Sequence, residues 1–198
     1  MSKRIAVIDL GSNSARLAIF ERTSRLGFFI LREYKVKVRL GHGAYENGGM
    51  LQDVAIAEVL EALSEFKTYI KMYKVRKIIA GGTSALRDAP NKAVFLTRLK
   101  NELGIAMKVI SGEEEASLGG IAASNLLPPL EDALCVDIGG GSTELARIKD
   151  GKMIAATSLN LGTVRLKELF YDKGDLKGAT QFIKDKISTL NVQFKSEQ

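Results

Sequence analysis

The chain has 198 residues, and its 29 lysines and arginines outnumber its 23 aspartates and glutamates, which gives a formal net charge of +6. With 45% hydrophobic and 26% charged residues, the composition excludes an intrinsically disordered protein, which would carry far fewer apolar side chains. One cysteine and one histidine exclude an internal disulfide and a zinc site built from several cysteines or histidines.

The same composition restricts location and partners. No apolar run reaches membrane-spanning length, so we expect a cytoplasmic protein that does not contact the membrane. The excess of basic over acidic residues fits a negatively charged binding partner. The basic residues are dispersed and tryptophan is absent, so a nucleic acid is disfavoured and a polyanionic metabolite fits the charge as well.

The first part of the chain alternates strands and helices. A helix over Leu51–Tyr73 is predicted because apolar residues from Val59 to Tyr73 recur at steps of three and four. Pro128 and Pro129 are predicted to stop the last helix of this part. The other predicted elements are strands over Arg4–Leu10, Ala15–Glu21, Leu26–Leu40, Lys77–Ala80 and Met107–Ile110, and helices over Asn91–Leu103 and Glu113–Leu126. This order predicts an α/β layer architecture with a parallel or mixed sheet and ligands at the strand ends.

A second block begins at Asp132 and contains an internal repeat of the first. VIDLGSNSARLA aligns with CVDIGGGSTELA when Asp9 is placed on Asp137. Both copies read as an apolar strand, an aspartate, an apolar residue, a glycine, a small polar turn and a further strand, a pattern that a functionless hairpin has little reason to repeat. The predicted elements of this block are strands over Ala133–Ile138, Glu144–Ile148 and Met153–Ser158, and helices over Val164–Phe170 and Leu176–Leu190.

Each repeated turn is predicted to bind a phosphate. Glycines and small hydroxyl residues let consecutive backbone N–H groups approach phosphate oxygens closely. Asp9 and Asp137 end the strands that lead into the turns, where a carboxylate can hold a hydrated Mg²⁺ that bridges phosphate oxygens, and the two aspartates are expected to define a cleft. Plain hairpin turns with solvated acids are the alternative, which the duplication weighs against. The candidate phosphate-binding residues are Ser12, Asn13, Gly140, Gly141 and Ser142.

Further charged residues are candidates for the same chemistry. Glu144 follows Ser142 by two positions and therefore shares its face of the strand. The acidic run Glu113–Glu115 opens a helix, where acids also serve as ordinary caps. Arg87 lies in a loop after a buried strand and can fork onto phosphate oxygens, or pair with Asp88 at the surface.

Six segments, taken in order, resemble the exopolyphosphatase and guanosine pentaphosphate phosphohydrolase (Ppx/GppA) family within the actin, Hsp70 and sugar-kinase superfamily. They are DLGSNSARLAI, RLG at Arg39–Gly41, TSALRDA at Thr83–Ala89, ISGEEEA at Ile110–Ala116, DIGGGSTEL at Asp137–Leu145 and LGTVRL at Leu161–Leu166. The resemblance implies an actin-like ATPase-domain (ribonuclease H-like) fold with a mixed sheet flanked by helices. It implies one complete domain over 1–128 and the start of a second over 132–198. Family members carry a later GTSGT-like motif that nothing after Leu166 matches, so we expect this chain to correspond to their N-terminal portion.

The resemblance also implies an activity. It implies hydrolysis of the terminal phosphoryl group of inorganic polyphosphate, or of the 5′-phosphate of guanosine pentaphosphate. Glu114 matches the proposed catalytic base, and Glu113 and Glu115 match it less well. Glu144 would assist Glu114, Arg87 would neutralise phosphoryl oxygens, and Asp9 and Asp137 would hold Mg²⁺, with a monovalent cation as an optional second ion.

Two other functions stay open at this stage. The chain could bind polyphosphate or guanosine tetraphosphate without turning it over, or act as an actin-like ATPase or kinase. The second is disfavoured because no adenosine-contacting segment is visible. Apolar surface exposed by a partial second domain favours self-association, for example as a homodimer.

Overall fold

The computed structural model describes residues 3–25, 27–128, 131–190 and 194. Leu26, predicted to begin a strand, and Pro129, predicted to help stop a helix, lie outside the described residues. The chain forms two compact units, Met1–Val109 and Ile110–Gln198. Among the described residues, no helix combines the length and apolar character needed to cross a membrane.

The first unit is built on a five-stranded mixed sheet in the order β3-β2-β1-β4-β5. Strands β1, β2 and β3 are antiparallel neighbours, whereas β4 runs parallel to β1 and β5 parallel to β4. This order and these directions are those of the ribonuclease H-like fold, so the predicted α/β class and actin-like fold are confirmed. The elements are β1 (Lys3–Leu10), β2 (Ser14–Arg22), β3 (Phe28–Lys37), α1 (Asp53–Met72), β4 (Lys77–Gly82), α2 (Ser84–Asp88), α3 (Lys92–Arg98) and β5 (Lys108–Val109), with a 3₁₀ turn at Tyr45–Asn47 and a π-helical segment at Leu99–Leu103.

Helix α1 covers one face of this sheet and forms most of the core with it. The apolar stripe that predicted the helix is buried from Val59 to Ile70, and Tyr73 packs at its margin. On β1, Ile8 and Leu10 are each 1% exposed, whereas Asp9 between them is exposed. The alternation of a strand therefore places Asp9 on the face opposite the core.

The second unit is built on a three-stranded antiparallel sheet in the order β6-β7-β8. Helix α4 packs on this sheet so closely that a Cβ atom added to Gly120 would lie 2.7 Å from Ala146 Cβ and 2.9 Å from Met153 Sδ. The elements are α4 (Gly112–Leu126), β6 (Asp132–Ile138), β7 (Thr143–Lys149), β8 (Lys152–Leu159), α5 (Thr163–Leu169), a 3₁₀ turn at Tyr171–Lys173 and α6 (Leu176–Ser188).

The compact units divide between Val109 and Ile110, upstream of the predicted boundary between 1–128 and 132–198. The difference is helix α4, which chain order and the following prolines assigned to the first part. Its small residues Ala116 and Gly120 are buried, and Gly120 packs against the second sheet.

Strand β3 ends earlier than the predicted strand over Leu26–Leu40. It stops at Lys37, because the N–H groups of Val38 and Arg39 leave the sheet and donate to Asn13 O, each at 3.1 Å. Arg39 adopts φ +46°, a left-handed conformation that no strand residue uses.

Candidate functional site

The first turn joins β1 to β2 through Gly11, Ser12 and Asn13. It is closed by Gly11 N, which donates to Ser14 O at 3.0 Å. Its carbonyl groups point toward the loop that follows β3, since Gly41 N donates to Ser12 O at 2.8 Å. The bonds from Val38 and Arg39 to Asn13 O hold the same loop against the turn.

The Ser12 side chain is not placed as a ligand for phosphate. Ser12 is 4% exposed, and its Oγ lies 3.0 Å from Tyr45 Oη and 3.4 Å from Ser84 Oγ. Its hydroxyl is therefore occupied within the protein, and only its backbone N–H group is a candidate for binding an anion. Asn13, by contrast, is exposed at the tip of the turn.

Arg87 lies at the same end of the first sheet as this turn. Thr83 N donates to Leu10 O at 3.0 Å, which fixes the start of α2 beside the end of β1. Ser84 and Arg87 are three residues apart on α2 and share a face of the helix, and Ser84 contacts Ser12. Arg87 is half-buried, so the structure brings this predicted phosphate-binding side chain near the first turn.

The second turn is closed in the same way and is held by α5. Gly139 N donates to Ser142 O at 2.9 Å. Gly139 O accepts from Thr163 N at 3.0 Å, and Gly140 O accepts from Val164 N at 2.8 Å. Within the described part of the chain, the N–H groups of Gly140 and Gly141 make no hydrogen bond to the protein. Those two predicted phosphate-binding groups are thus available for a ligand.

The second hairpin places two carboxylates side by side. Asp137 and Glu144 are direct cross-strand partners, so their side chains leave the same face of the sheet with Cβ atoms roughly 5 Å apart. Asp137 is exposed. Glu144 is 6% exposed and accepts a hydrogen bond from Ser158 Oγ at 2.8 Å, so its carboxylate is shielded from solvent.

The first hairpin differs at the equivalent position. The cross-strand partner of Asp9 is Arg16, which aligns with Glu144 in the repeat. Opposite charges therefore face each other in the first copy and like charges in the second. Like charges at directly opposed positions destabilise a sheet, and a bound cation or proton would relieve this in the second copy only.

Glu114 belongs to the same unit as this carboxylate pair. Ser111 caps α4, since its Oγ accepts a hydrogen bond from the Glu114 N–H group at 3.0 Å, and the Glu114 side chain is half-buried. Helix α4 ends at Leu126 and β6 begins at Asp132, and a connection this short is typical of a helix followed by a strand that runs back along it.

The direction of α4 carries Glu114 toward the second turn. From the contact between Gly120 and Ala146, Glu114 lies six residues back along the helix, about 9 Å. Glu144 lies two residues back along β7, about 7 Å. Both displacements point to the end of the sheet where the turn lies, so we expect Glu114 and Glu144 at the same end of this unit.

The metal-ligating side chains of the described residues restrict the kind of metal site that this chain can form. Among the described residues, no group of three or more histidine, cysteine, aspartate or glutamate side chains is placed to hold a metal ion. Mg²⁺ commonly binds through one or two carboxylates and takes its remaining ligands from water and substrate phosphates. Asp9 in the first unit and Asp137 in the second are therefore each suited to act as a single carboxylate ligand of an ion that arrives with a phosphate.

Sequence reasoning missed the residues that support the turns, chiefly Tyr45 and Gly162. A signal for Gly162 was available, because a Leu-Gly pair follows the third strand of each repeat, at Leu40-Gly41 and at Leu161-Gly162. The alignment of VIDLGSNSARLA with CVDIGGGSTELA ends before this Leu-Gly pair in both copies. Nothing local in the sequence marks Tyr45, since its contacts with Ser12 and Ser84 are long-range.

The sheet order of the first unit and the repeated turn place the chain among actin-like α/β proteins. Residues 5–197 match the Ppx/GppA phosphatase family, and the chain belongs to that family.

Individual relatives agree with this assignment. Exopolyphosphatase 2 of Mycobacterium tuberculosis is 34% identical over 83% of this chain and 54% of its own length. The crystal structure of an exopolyphosphatase from Cytophaga hutchinsonii gives a TM-score of 0.79 at 34% identity, over 85% of this chain and 54% of that one. The PPX-GPPA enzyme of Aquifex aeolicus gives 0.75 at 33% identity, over 95% and 64%. The chain spans between 26% and 61% of the first curated relatives it matches.

Proposed function

We propose that this chain takes part in hydrolysing the terminal phosphoryl group of inorganic polyphosphate. The observation that carries the proposal is the opposed pair Asp137 and Glu144 beside a glycine turn whose N–H groups are available. Two of the relatives above are named exopolyphosphatases. The 5′-phosphate of guanosine pentaphosphate presents a similar terminal phosphoryl group and is the second substrate within this proposal.

Binding of phosphoryl oxygens falls to the turns and to Arg87. The N–H groups of Gly140, Gly141 and Ser142 act as fixed donors toward one phosphoryl group, as backbone nests do for anions. In the first unit, the N–H groups of Ser12 and Asn13 and the Arg87 guanidinium provide the same kind of contact. Donors that are held in place before the substrate arrives stabilise charge in the transition state without reorganising.

The chemical step is an attack by water on the terminal phosphorus. Glu114 accepts one proton from the water while the new P–O bond forms and the bridging P–O bond breaks in line. The products are orthophosphate and a polyphosphate shortened by one unit, which leaves with the electron pair of the broken bond. Glu144 is the second carboxylate that assists Glu114, and positioning provides much of the rate enhancement.

Mg²⁺ is part of the proposal as an ion that would be held by a carboxylate, Asp9 in the first unit or Asp137 in the second, together with substrate oxygens. When bound, it supplies positive charge that neutralises the phosphoryl oxygens. A monovalent cation, a homodimer and a cytoplasmic location stay predictions. The homodimer rests on exposed apolar side chains such as Phe28 and Ile138, each 67% exposed.

The test compares phosphate release from long-chain polyphosphate by the wild-type chain, Glu114→Ala and Glu113→Ala, each with Mg²⁺ and with a chelator. Loss of a general base costs about 10²–10⁴-fold in rate, so we expect that loss in Glu114→Ala. Glu113→Ala is the matched control, because it removes the same charge from the same helical turn and should retain activity.

Three outcomes are informative. Equal release by the wild type and Glu114→Ala contradicts the assignment of the base. Loss of activity in Glu113→Ala alone would transfer the role to Glu113. Binding of polyphosphate without release by the wild type contradicts hydrolysis by this chain and supports the binding-domain alternative.

A further inference from the structure

Gly162, at the start of α5, touches the second turn more closely than any side chain would allow. A Cβ atom added to Gly162 would lie 2.5 Å from the carbonyl carbon and oxygen of Gly140 and 2.5 Å from the carbonyl carbon of Gly141. Its backbone is extended, with φ −148° and ψ 162°, which every residue type can adopt. Glycine is therefore required here by the close approach and not by its backbone angles.

That approach lets α5 bind three successive carbonyl groups of the turn. The helix N–H groups donate to Gly139 O and Gly140 O, as described above. The third carbonyl, Gly141 O, accepts from the Arg165 side chain through Nε at 2.8 Å. The first N–H groups of a helix have no partner inside the helix, and α5 uses them on the turn itself.

The orientation of these carbonyls determines where the turn's N–H groups point. In a planar trans peptide the C=O of one residue and the N–H of the next point in opposite directions. Because the carbonyls of Gly139, Gly140 and Gly141 face α5, the N–H groups of Gly140, Gly141 and Ser142 face away from it. These are the three N–H groups of the second turn assigned to phosphate.

The first turn repeats the arrangement. There Gly41 N bonds Ser12 O, and the N–H groups of Val38 and Arg39 bond Asn13 O, so two carbonyls face the loop after β3. A Cβ atom on Gly41 would lie 3.1 Å from Ser12 Cβ. In both copies of the repeat, N–H groups of the following segment therefore bind the carbonyl groups of the turn.

We propose that Gly162 and Arg165 are positioning residues that aim the N–H groups of Gly140, Gly141 and Ser142 at one phosphoryl group. The proposal rests on the proposed function for the identity of the anion. In this role Arg165 acts on a carbonyl of the turn through its Nε–H group, and its positive charge is not what the turn requires.

Two substitutions at Arg165 separate these roles. In Arg165→Gln the amide nitrogen falls at the same bond position as Arg Nε, so a donor to Gly141 O is kept while the charge is lost. Arg165→Met loses both, with the same change in net charge. We expect Arg165→Gln to bind inorganic tripolyphosphate nearly as well as the wild type. We expect Arg165→Met to bind it at least about tenfold more weakly, as is usual when hydrogen bonds to a charged group are lost.

Gly162→Ala tests the close approach, with Gly120→Ala as the control that crowds the same unit elsewhere. We expect both to lower the melting temperature and only Gly162→Ala to weaken tripolyphosphate binding and to shift the amide resonances of Gly140–Ser142. Equal weakening in Arg165→Gln and Arg165→Met overturns the proposal, because the charge would then act on the anion directly. Unchanged affinity in Gly162→Ala also overturns it.

The amide resonances of the ligand-free protein keep the two proposals apart. If the wild type binds no tripolyphosphate, the proposed function fails on its own. The positioning role is then decided by the resonances of Gly140, Gly141 and Ser142. The positioning role predicts that the chemical shifts of these three amides change in Gly162→Ala and Arg165→Met and stay the same in Arg165→Gln and Gly120→Ala. Any other pattern overturns the positioning role.

Discussion

Glu144 combines burial, negative charge and a like-charged neighbour, three properties that a purely structural position avoids. Its neighbour Asp137 is the directly opposed residue on β6, and its one described donor is Ser158. Each of these features costs stability unless a cation or a proton compensates. The aligned residue in the first hairpin, Arg16, carries no such cost. The contrast supports the proposal that the second copy of the repeat contributes the carboxylate chemistry.

Glu144→Gln tests this conflict between stability and activity. Glutamine keeps the oxygen that accepts from Ser158 and removes one of two like charges, so we expect slightly higher stability. Relief of a like-charge pair is worth about 0.2–1 kcal/mol, which raises the melting temperature by about 1–4 °C for a chain of this size. Phosphate release should fall by about 10²-fold or more if the carboxylate assists proton transfer.

The control for this variant is Glu131→Gln, at an exposed position of the same unit. It makes the same charge change and should alter neither thermal unfolding nor phosphate release. A clear loss of stability in Glu144→Gln, with release unchanged, would show that the carboxylate is structural.

At the scale of elements, the β7–β8 hairpin shows how a turn and a register shift together set the strand pairing next to Glu144. Lys149 and Lys152 are cross-strand partners, which leaves a two-residue loop. Asp150 and Gly151 have φ +51° and +70°, the positive pair of a type I′ turn, for which Asp-Gly is a favoured sequence. A one-residue register shift between Arg147 and Ile148 then brings Ser158, and not Thr157, opposite Glu144.

One substitution, glycine to alanine, should have opposite effects in two elements of the second unit. At Gly151 no atom lies within 4 Å of an added Cβ, so the cost is backbone strain alone, about 1 kcal/mol or more. At Gly119, inside α4 and equally open, alanine should stabilise by roughly 0.5–1 kcal/mol through helix propensity. Denaturant unfolding of both variants gives the two signs, and equal signs would contradict the assigned conformations.

The parts of the fold that sequence reasoning predicted are those with a local signal. Helix α1 follows from its apolar period, and the two hairpins follow from their repeated turns. Helix α2 has only five residues, too few to show a period, so the sequence predicts a loop around Arg87 where the structure has a helix. The end of β3 at Lys37 depends on bonds to Asn13, and the burial of Ser12 depends on Tyr45. Contacts between residues this far apart in sequence leave no pattern near either partner.

The candidate site divides in the same way. Glycines at the turns and the aspartates before them were predictable because turn chemistry restricts residue type at those positions. The opposition of Asp137 and Glu144 needs the hairpin register, which the two-strand pattern around a four-residue turn already implies. Gly162 lies in the segment LGTVRL that carries the family resemblance, but its role depends on a tertiary contact with the turn, which that segment alone does not indicate.

For the whole molecule, the net charge of +6 and the two turns attract an anion over different distances. The net charge acts through solvent and is screened within about 10 Å at 0.1 M salt and about 3 Å at 1 M. The N–H groups of the turns act by direct contact and are screened much less. Affinity for a polyphosphate should therefore have one part that depends on salt and one that does not.

The double variant Lys67→Glu with Lys184→Glu separates these parts. Both lysines are exposed on helices, one in each unit, and the two reversals lower the net charge by 4, from +6 to +2. At low salt we expect this variant to bind tripolyphosphate several-fold more weakly than the wild type, and at 0.5 M KCl the two dissociation constants should converge, because only the screened part has changed. Titration calorimetry across a salt series measures both dissociation constants directly.

A difference between the two dissociation constants that persists at high salt would mean that the lysines contact the anion themselves. If wild-type binding disappears altogether at 0.5 M KCl, the affinity comes from diffuse charge and the turns do not form the binding site.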